Sequence, residues 1–344
     1  MSNIKISFCI PTRNRASFID ETLESIISQA NDNVEIVIVD GASTDNTSEV
    51  VCKFNSKFNN IVYHRLEKNS GVDRDIARCI EISRGDYCWM FSDDDLLKPG
   101  AINRILKEIE SKYEIYLCNV TACNLSMKPY QDEFMLSAEV KDRVFNLHDK
   151  NELIKYCNLA DSLFALFSYN CSIIFSREEW NKTGFNYEFD GTAYELAAAL
   201  LSFIKRKCRL KYIRNSLVLW RSDNESFQHA GGLVKRFLLD FDGYLKLADK
   251  YIDDIEARKS FLKVMTREHP WYTIINVTSC MNNKEQWKQF RGKMLKFGYS
   301  PWLASICYAL GRNRNLISMA VKTKRRIIRT GLVDKFAKML SQNG

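Results

Sequence analysis

The stretch YCWMFSDDDLLKPGAI, residues 87–102, runs from five apolar residues through three consecutive aspartates, Asp93, Asp94 and Asp95, into a helical pattern that opens near Pro99. The apolar run reads as a buried strand, and like charges crowded at its carboxyl end repel unless a cation compensates them. The same alternation extends to either side. Strands are read over 4–10, 34–40, 61–65, 87–91 and 115–119, and helices over 16–30, 45–58, 73–83 and 99–109. Strand–helix alternation at this interval implies parallel pairing, because parallel neighbours need a crossover, so the first 120 residues are expected to form an α/β, doubly wound sheet. Ser43 or Thr44 is the expected cap of the second helix, and Pro99 suits the first turn of the fourth.

Past residue 119 the pattern weakens. Residues 120–150 read as irregular, 171–176 as a strand, 192–205 as a helix, and 210–220 as one or two strands that complete the sheet. From Leu233 onward the spacing is almost entirely helical, with no linker rich in Ser, Gly or Pro. The expected organisation is a sheet domain over 1–230 and a helical region over 231–344.

With 46% hydrophobic and 27% charged residues, the 344-residue chain can bury a sizeable core and is not of disordered composition. No apolar run approaches the roughly 18 residues of a spanning helix, and MSNIKISFCIP enters a strand without a charged leader, so a cytoplasmic location is expected. The 11 cysteines are scattered through apolar contexts, with no C-x-x-C, and read as reduced core residues. The net charge of +8 is local: 11 basic residues and no acidic ones lie between Gln286 and Val333, leaving 39 basic against 42 acidic elsewhere.

In an open α/β sheet the ligand crevice lies outside the carboxyl ends of the strands. Three polar clusters fall there: Pro11-Thr12-Arg13-Asn14, Asp40-Gly41-Ala42-Ser43-Thr44-Asp45, and Asp93-Asp94-Asp95. Hard carboxylate oxygens select Mg²⁺ or Mn²⁺ over softer metals, so the aspartates read as holding a divalent ion that carries a phosphate. Taken alone, the triplet reads rather as a solvated acidic turn capping the helix at Pro99, because an acidic triplet is a weak motif.

The order and spacing of PTRNR at 11–15, VIVDGASTDNT at 37–47, NSGVDRDI at 69–76 and GDYCWMFSDDDLLKPGAI at 85–102 resemble the family 2 glycosyltransferases of the A-type nucleotide-sugar fold. The resemblance covers roughly residues 4–230, and the GVDRDI element looks like the subgroup of abequosyltransferases and related bacterial surface-polysaccharide enzymes. It implies a Rossmann-like nucleotide-diphospho-sugar transferase sheet, a nucleotide-sugar donor, and Mn²⁺ or Mg²⁺ as cofactor. It further implies that Thr12 and Asp40, with Pro11 and Arg13 beside them, hold the nucleobase, that Asp93 meets the ribose, and that Asp95 ligates the metal in a D-x-D pair with Asp94 between. The commoner Ala-Arg-Asn run after the NxG element is replaced here by Asp73-Arg74-Asp75, and Arg74 is the better candidate to meet base or phosphate, ahead of Arg78.

Inverting transfer needs a carboxylate to take the acceptor proton. In the family this residue opens a later helix as part of an acidic pair; Phe189-Asp190-Gly191-Thr192-Ala193-Tyr194-Glu195 occupies that place, with Glu195 matching the second member, Tyr194 replacing the first, and Asp190 in reserve. The run from Trp220 to His229 resembles the R-x-x-N-x-S loop that closes over the donor, with Arg221 facing the diphosphate and His229 a possible metal ligand. In the tail, Leu316, Ile317, Ala320, Val321, Ile327, Ile328 and Leu332 share one arc of a helix while Lys322, Arg325, Arg326 and Arg329 share the other. This expects a peripheral anchor on the anionic inner face of the cytoplasmic membrane, where a lipid-linked glycan acceptor is met, or else a helix packed on its own protein. A nucleic-acid-binding protein is the rival of another class, but no recognised module is present. A sugar nucleotidyltransferase would carry a Gly-rich phosphate loop after its first strand, and CIPTRNRASF contains no glycine.

Overall fold

The computed structural model describes residues 4–222, 224 and 232–312. The described strands are β1 (Ile6–Thr12), β2 (Val34–Asp40), β3 (Ile61–Arg65), β4 (Tyr87–Met90), β5 (Leu96–Leu97), β6 (Ile115–Cys123), β7 (Pro129–Glu133), β8 (Arg143–Asn146), β9 (Ile173–Ser176) and β10 (Arg209–Arg221). The described helices are α1 (Ile19–Ile27), α2 (Thr47–Phe54), α3 (Val72–Ile82), α4 (Ala101–Glu108), α5 (Lys150–Leu159), α6 (Arg177–Thr183), α7 (Glu195–Ser202), α8 (Gly232–Tyr251), α9 (Ile255–Glu268), α10 (Trp271–Ser279), α11 (Lys284–Lys296) and α12 (Pro301–Gly311). All ten strands join one sheet in the order β3-β2-β1-β4-β9-β6-β10-β5, with β7 added on β6 and β8 on β10. β1 pairs in parallel with β2 and β4, and β2 with β3, so the order reverses between β1 and β4. That switch point opens a crevice at the carboxyl ends of β1 and β4, beside Thr12 and the aspartate triplet.

The first half matches the expected elements closely. The second corrects several. β9 runs antiparallel between β4 and β6, pairing Tyr87 with Ser176 and Ile115 with Phe175, so the sheet is mixed rather than parallel throughout. Its residues are buried on both faces, and such a run carries no mark of direction in its sequence. Running antiparallel, β9 begins at the end of the sheet where β4 stops. Residues 120–150 hold two antiparallel strands, β7 an exposed, polar PYQDE that gives no apolar signal and β8 only four residues long. β10 is one 13-residue strand whose register shifts around Ser216 let it serve β6, β8 and β5.

Two expected caps are also revised. Asp45, not Ser43 or Thr44, receives the Thr47 N–H at 3.0 Å at the start of α2. Ser43 and Thr44 are used across the crevice instead, accepting from the Asn14 N–H at 2.9 Å and donating to Asn14 Oδ1 at 2.7 Å. Helix α4 starts behind Gly100, whose φ of 81° is left-handed, so Pro99 stands outside the helix and no side chain caps it.

The sheet core is aromatic where it borders the crevice. Phe8 and Trp89 stack at 5.0 Å between centroids, Phe91 meets both edge-on, and the Trp89 indole N–H donates to the Cys171 carbonyl at 2.9 Å. Each such ring contributes on the order of 4 kcal/mol by area removed from water. Nine of the 11 cysteines are buried and all are free, as read from the sequence.

The chain groups into two compact units, one of Met1–Glu225 with Gly243–Val264 and one of Ser226–Asp242 with Met265–Gly344. In the second unit Phe237, Phe241, Phe290 and Phe297 form an aromatic cluster. Helices α10 and α12 approach closely there: a Cβ on Gly311 would stand 2.1 Å from Thr278 Oγ1. Among the described residues no helix is long and apolar enough to cross a membrane.

Candidate active site

The loops after β1 and β2 build one wall of the crevice. Asn14 and Ala42 both adopt positive φ, 56° and 62°, and the Arg15 N–H donates to Thr47 Oγ1 at 2.9 Å, so the two loops are tied at several points. Asp40 is fully buried; its Oδ1 accepts from the Ser43 N–H at 2.7 Å and its Oδ2 from the Tyr63 hydroxyl at 2.6 Å. Burial, then the bond to Asp40, pushes the Tyr63 phenol up to about 12. Thr12 is buried, with its side chain beside Asp93. Arg13 is exposed and Pro11 half-buried beside it. Gly41 is required by close approach, since a Cβ there would lie 2.7 Å from Asp75 Oδ2.

The aspartate triplet is not a solvated turn. Asp93 is 8% exposed and Asp95 1%. Asp93 Oδ1 lies 3.3 Å from Arg15 Nε. Burial raises the Asp93 carboxyl to about 7, with Arg15 pulling against it and Asp94 adding to it. Asp94 accepts from Ser92 Oγ at 2.5 Å and from Asn224 Nδ2 at 2.6 Å. Asp95 is the most completely held: Oδ1 accepts from the Arg221 N–H at 2.8 Å, and Oδ2 accepts from the Cys171 thiol at 3.1 Å and from the Tyr169 hydroxyl. Burial, followed by repulsion from Asp94, raises it to about 6. Among the described residues no three His, Cys, Asp or Glu side chains gather tightly enough to hold a metal by themselves.

Arg221 has partners other than the diphosphate expected of it. Its Nε donates to the Asp94 carbonyl at 2.8 Å, one terminal nitrogen to the Leu125 carbonyl and the other to Glu21, each at 2.5 Å, and only 5% of the residue is exposed. The guanidinium therefore shapes the loop that presents Asp95.

Glu195 opens α7 and is fully buried. Its Oε1 accepts from the Asn186 N–H at 2.9 Å, while Oε2 has no partner. Burial, with Asp73 and Asp190 adding repulsion, raises it to about 8. Tyr194, in place of the first acidic residue, is a packing residue: its ring lies where a Cβ on Gly243 would stand, 2.4 Å away, and meets Tyr244 edge-on. Asp190 accepts from Arg74 Nε at 2.9 Å and Nη2 at 2.6 Å, which holds its carboxyl below the usual range. Arg78 pairs with Glu81 on an exposed helix face.

The first turn of α3 links the two carboxylate groups. Asp75 packs on Gly41 beside the Asp40 loop, Arg74 grips Asp190, and Asp73 accepts from the Ala193 N–H at 3.0 Å. The sequence did not point to Tyr169, Cys171, Tyr63 or Asp73 as parts of the site; each acts across 23 to 120 residues, and no local pattern signals that. His229 and the tail residues Lys322, Arg325, Arg326 and Arg329 lie outside the described residues. A cavity of about 1260 Å³ opens at the opposite, amino-terminal edge of β1 and β4, but its charges pair with each other, as in Lys5–Asp86 and Arg209–Glu114, and none of the residues above lines it.

The chain resembles known proteins in sequence and in fold. The model of the family described as Glycosyl transferase family 2 matches residues 7–174. Abequosyltransferase RfbV of Salmonella typhimurium is 33% identical over 324 residues, 92% of each chain. The GalNAc(5)-diNAcBac-PP-undecaprenol β-1,3-glucosyltransferase of Campylobacter jejuni is 25% identical over 264 residues, 74% of this chain and 76% of that one. Residues 1–349 of S. aureus TarS, crystallised with UDP, superpose with a TM-score of 0.62 at 16% identity, covering 95% of this chain and 92% of that one. The chain belongs to glycosyltransferase family 2, and its mixed sheet with a crevice at the switch point is the A-type fold of that family.

Proposed function

We propose that the chain is an inverting, divalent-metal-dependent glycosyltransferase that moves a sugar from a nucleotide-sugar donor to a polyprenyl-diphosphate-linked glycan in O-antigen, capsule or related surface-polysaccharide synthesis. The observation that carries this reading is the presence, within one sheet unit, of a buried aspartate cluster at the switch point and a second buried carboxylate, Glu195, at a helix start. The Salmonella relative is named for sugar transfer and the Campylobacter relative for a glycan on undecaprenol, which supports the class of acceptor. TarS with UDP supports a nucleotide donor.

Asp93 and Asp95 fit a Mn²⁺ or Mg²⁺ ion. Both are pushed up by burial and by Asp94, a penalty that a divalent cation relieves, and a site without a closed protein cage suits an ion completed by donor phosphates. Bound there, the ion would offset charge growing on the departing nucleoside diphosphate. Thr12 and Asp40, register partners at the ends of β1 and β2, are the nucleobase contacts of this reading. In the transfer step the acceptor oxygen bonds the anomeric carbon while the bond from that carbon to phosphate oxygen breaks, its electrons leaving with the nucleoside diphosphate. The acceptor proton passes to Glu195. Incubation with labelled nucleotide sugars, Mn²⁺ and bacterial membranes should move label into a lipid-extractable product. Release of free sugar alone would sink the reading.

The membrane part of the proposal rests on the tail's charge and on α12, which carries no charged residue and exposes Trp302 and Ile306. Each cation near anionic lipid contributes roughly 1 kcal/mol. Changing Lys322, Arg325, Arg326 and Arg329 together to Gln should release the protein from phosphatidylserine-containing vesicles. Cosedimentation insensitive to those changes and to salt would mean that the helix packs on its own protein.

A further inference from the structure

The turn that leads into Glu195 is built against its own preferences. Gly191 and Ala193 both take positive φ, 73° and 64°, and for a residue with a Cβ such as Ala193 that conformation is disfavoured and persists only when its surroundings fix it. Within the turn, Thr192 Oγ1 donates to the Phe189 carbonyl at 2.6 Å and accepts from the Tyr194 N–H at 3.1 Å. The Asp190 and Thr192 N–H groups close on the Tyr187 and Phe189 carbonyls, at 3.3 and 3.1 Å, and the other amides face α3. There the Asp73 carboxylate, 3% exposed, accepts from the Ala193 N–H at 3.0 Å, and the N–H groups of Gly191 and Glu195 also face it. Asp73 thus supplies from another helix the acceptor that an N-cap residue would supply locally, while Tyr194 at the cap position of α7 makes no side-chain cap bond.

We infer that Asp73 is a positioning residue for Glu195: it fixes the 190–195 turn from the first turn of α3 and sets where the acceptor-side carboxylate sits. Its charge also adds to the effect of burial in raising the Glu195 carboxyl. The inference rests on the proposed role of Glu195 as the base. The charged and titratable groups around Glu195 are Asp73 from α3, Asp190 from its own turn with Arg74 behind it, and Tyr251 from α8, whose hydroxyl accepts from Asn186 Nδ2 at 2.8 Å. Asp73 is the negative group that reaches the turn backbone from another helix. The same helical turn places Asp75 against Gly41, so donor loop and base turn share one support.

The test compares Asp73→Asn, which keeps an oxygen for the Ala193 N–H but loses the charge, with Asp73→Ala, which loses both. Two readouts are taken: turnover with membranes as acceptor source, and titration of the Glu195 carboxyl in ¹³C-glutamate-labelled protein, its resonance assigned by loss in Glu195→Gln. Asp73→Asn should retain turnover within a few-fold and move the Glu195 titration to lower pH. Asp73→Ala should lower kcat by roughly 10²-fold, the cost of a misplacement near 1 Å, with the KM for donor little changed. If Glu195→Gln keeps full turnover, the base assignment falls and the inference with it. If Glu195→Gln is inactive but both Asp73 variants match the parent in kcat and in the titration, the inference alone falls. Should Asp73→Ala not fold, the titration in Asp73→Asn decides: an unmoved midpoint overturns it.

Discussion

Asp95 and Glu195 are buried carboxylates of the same sheet unit, and they are held in opposite ways. Asp95 accepts from a backbone amide, a thiol and a hydroxyl, so both of its oxygens are engaged. Glu195 accepts one backbone amide and leaves Oε2 with none. Burial raises both, but Asp95 only to about 6 and Glu195 to about 8. Donors that favour the charged form offset part of the desolvation cost, which is why the better-held carboxylate keeps the lower value. The difference suits two tasks: a fixed anion that meets a cation, and a group poised to exchange a proton near neutral pH.

The largest effect that would break this contrast is at Asp95. Asp95→Asn, or excess EDTA with the parent protein, should reduce transfer to background while the circular dichroism spectrum is kept. Full activity in EDTA would show that the cluster is not a metal site. Next comes Glu195→Gln, expected to lower kcat by about 10²–10⁴ without changing donor affinity. If Asp190→Asn gives that loss and Glu195→Gln is neutral, the base is Asp190. The kcat/KM of the parent should fall below about pH 8 as Glu195 takes up its proton, provided it is the base.

A smaller effect concerns stability. Asp93, Asp95 and Glu195 all have folded values raised above their ordinary ones, so each contributes stability that is complete below about pH 4 and is lost as pH rises through about 6 to 8. The ligand-free protein in EDTA should therefore lose several degrees of Tm between pH 5 and pH 8 from these groups, a sign opposite to that of salt-bridged carboxylates. Mn²⁺ at pH 8 should restore part of it. A Tm that climbs through this range with neither metal nor donor present would contradict the burial described. The smallest effect is expected at Arg74, whose pair with Asp190 is half exposed. Arg74→Ala should change turnover only a few-fold; a loss as large as that of Glu195→Gln would make the ion pair, and not the Asp73 contact, the support of the turn.

The sequence by itself determined the alternating first half. Strands β2 and β3 fall on the residues expected: β2 is a buried β-branched run, β3 a half-buried edge strand opening on Ile61 and Val62, and both are set off by helical spacing, a signal carried locally. It also placed Thr12, Asp40, Asp93 and Asp95 at the carboxyl ends of strands, since that position follows from element order alone. Only the tertiary structure decided the antiparallel course of β9, the polar strand β7 and the short strand β8, and the commitment of Arg221 to the protein. The physical reason is shared: direction, edge pairing and the choice of a hydrogen-bond partner depend on groups far apart in the chain. Tyr169 reaches Asp95 across 74 residues, and Asp73 reaches Ala193 across 120. Periodicity identifies which face of an element is buried, but it carries no information on which distant donor will meet a buried carboxylate, and that meeting separates Asp95 from Glu195.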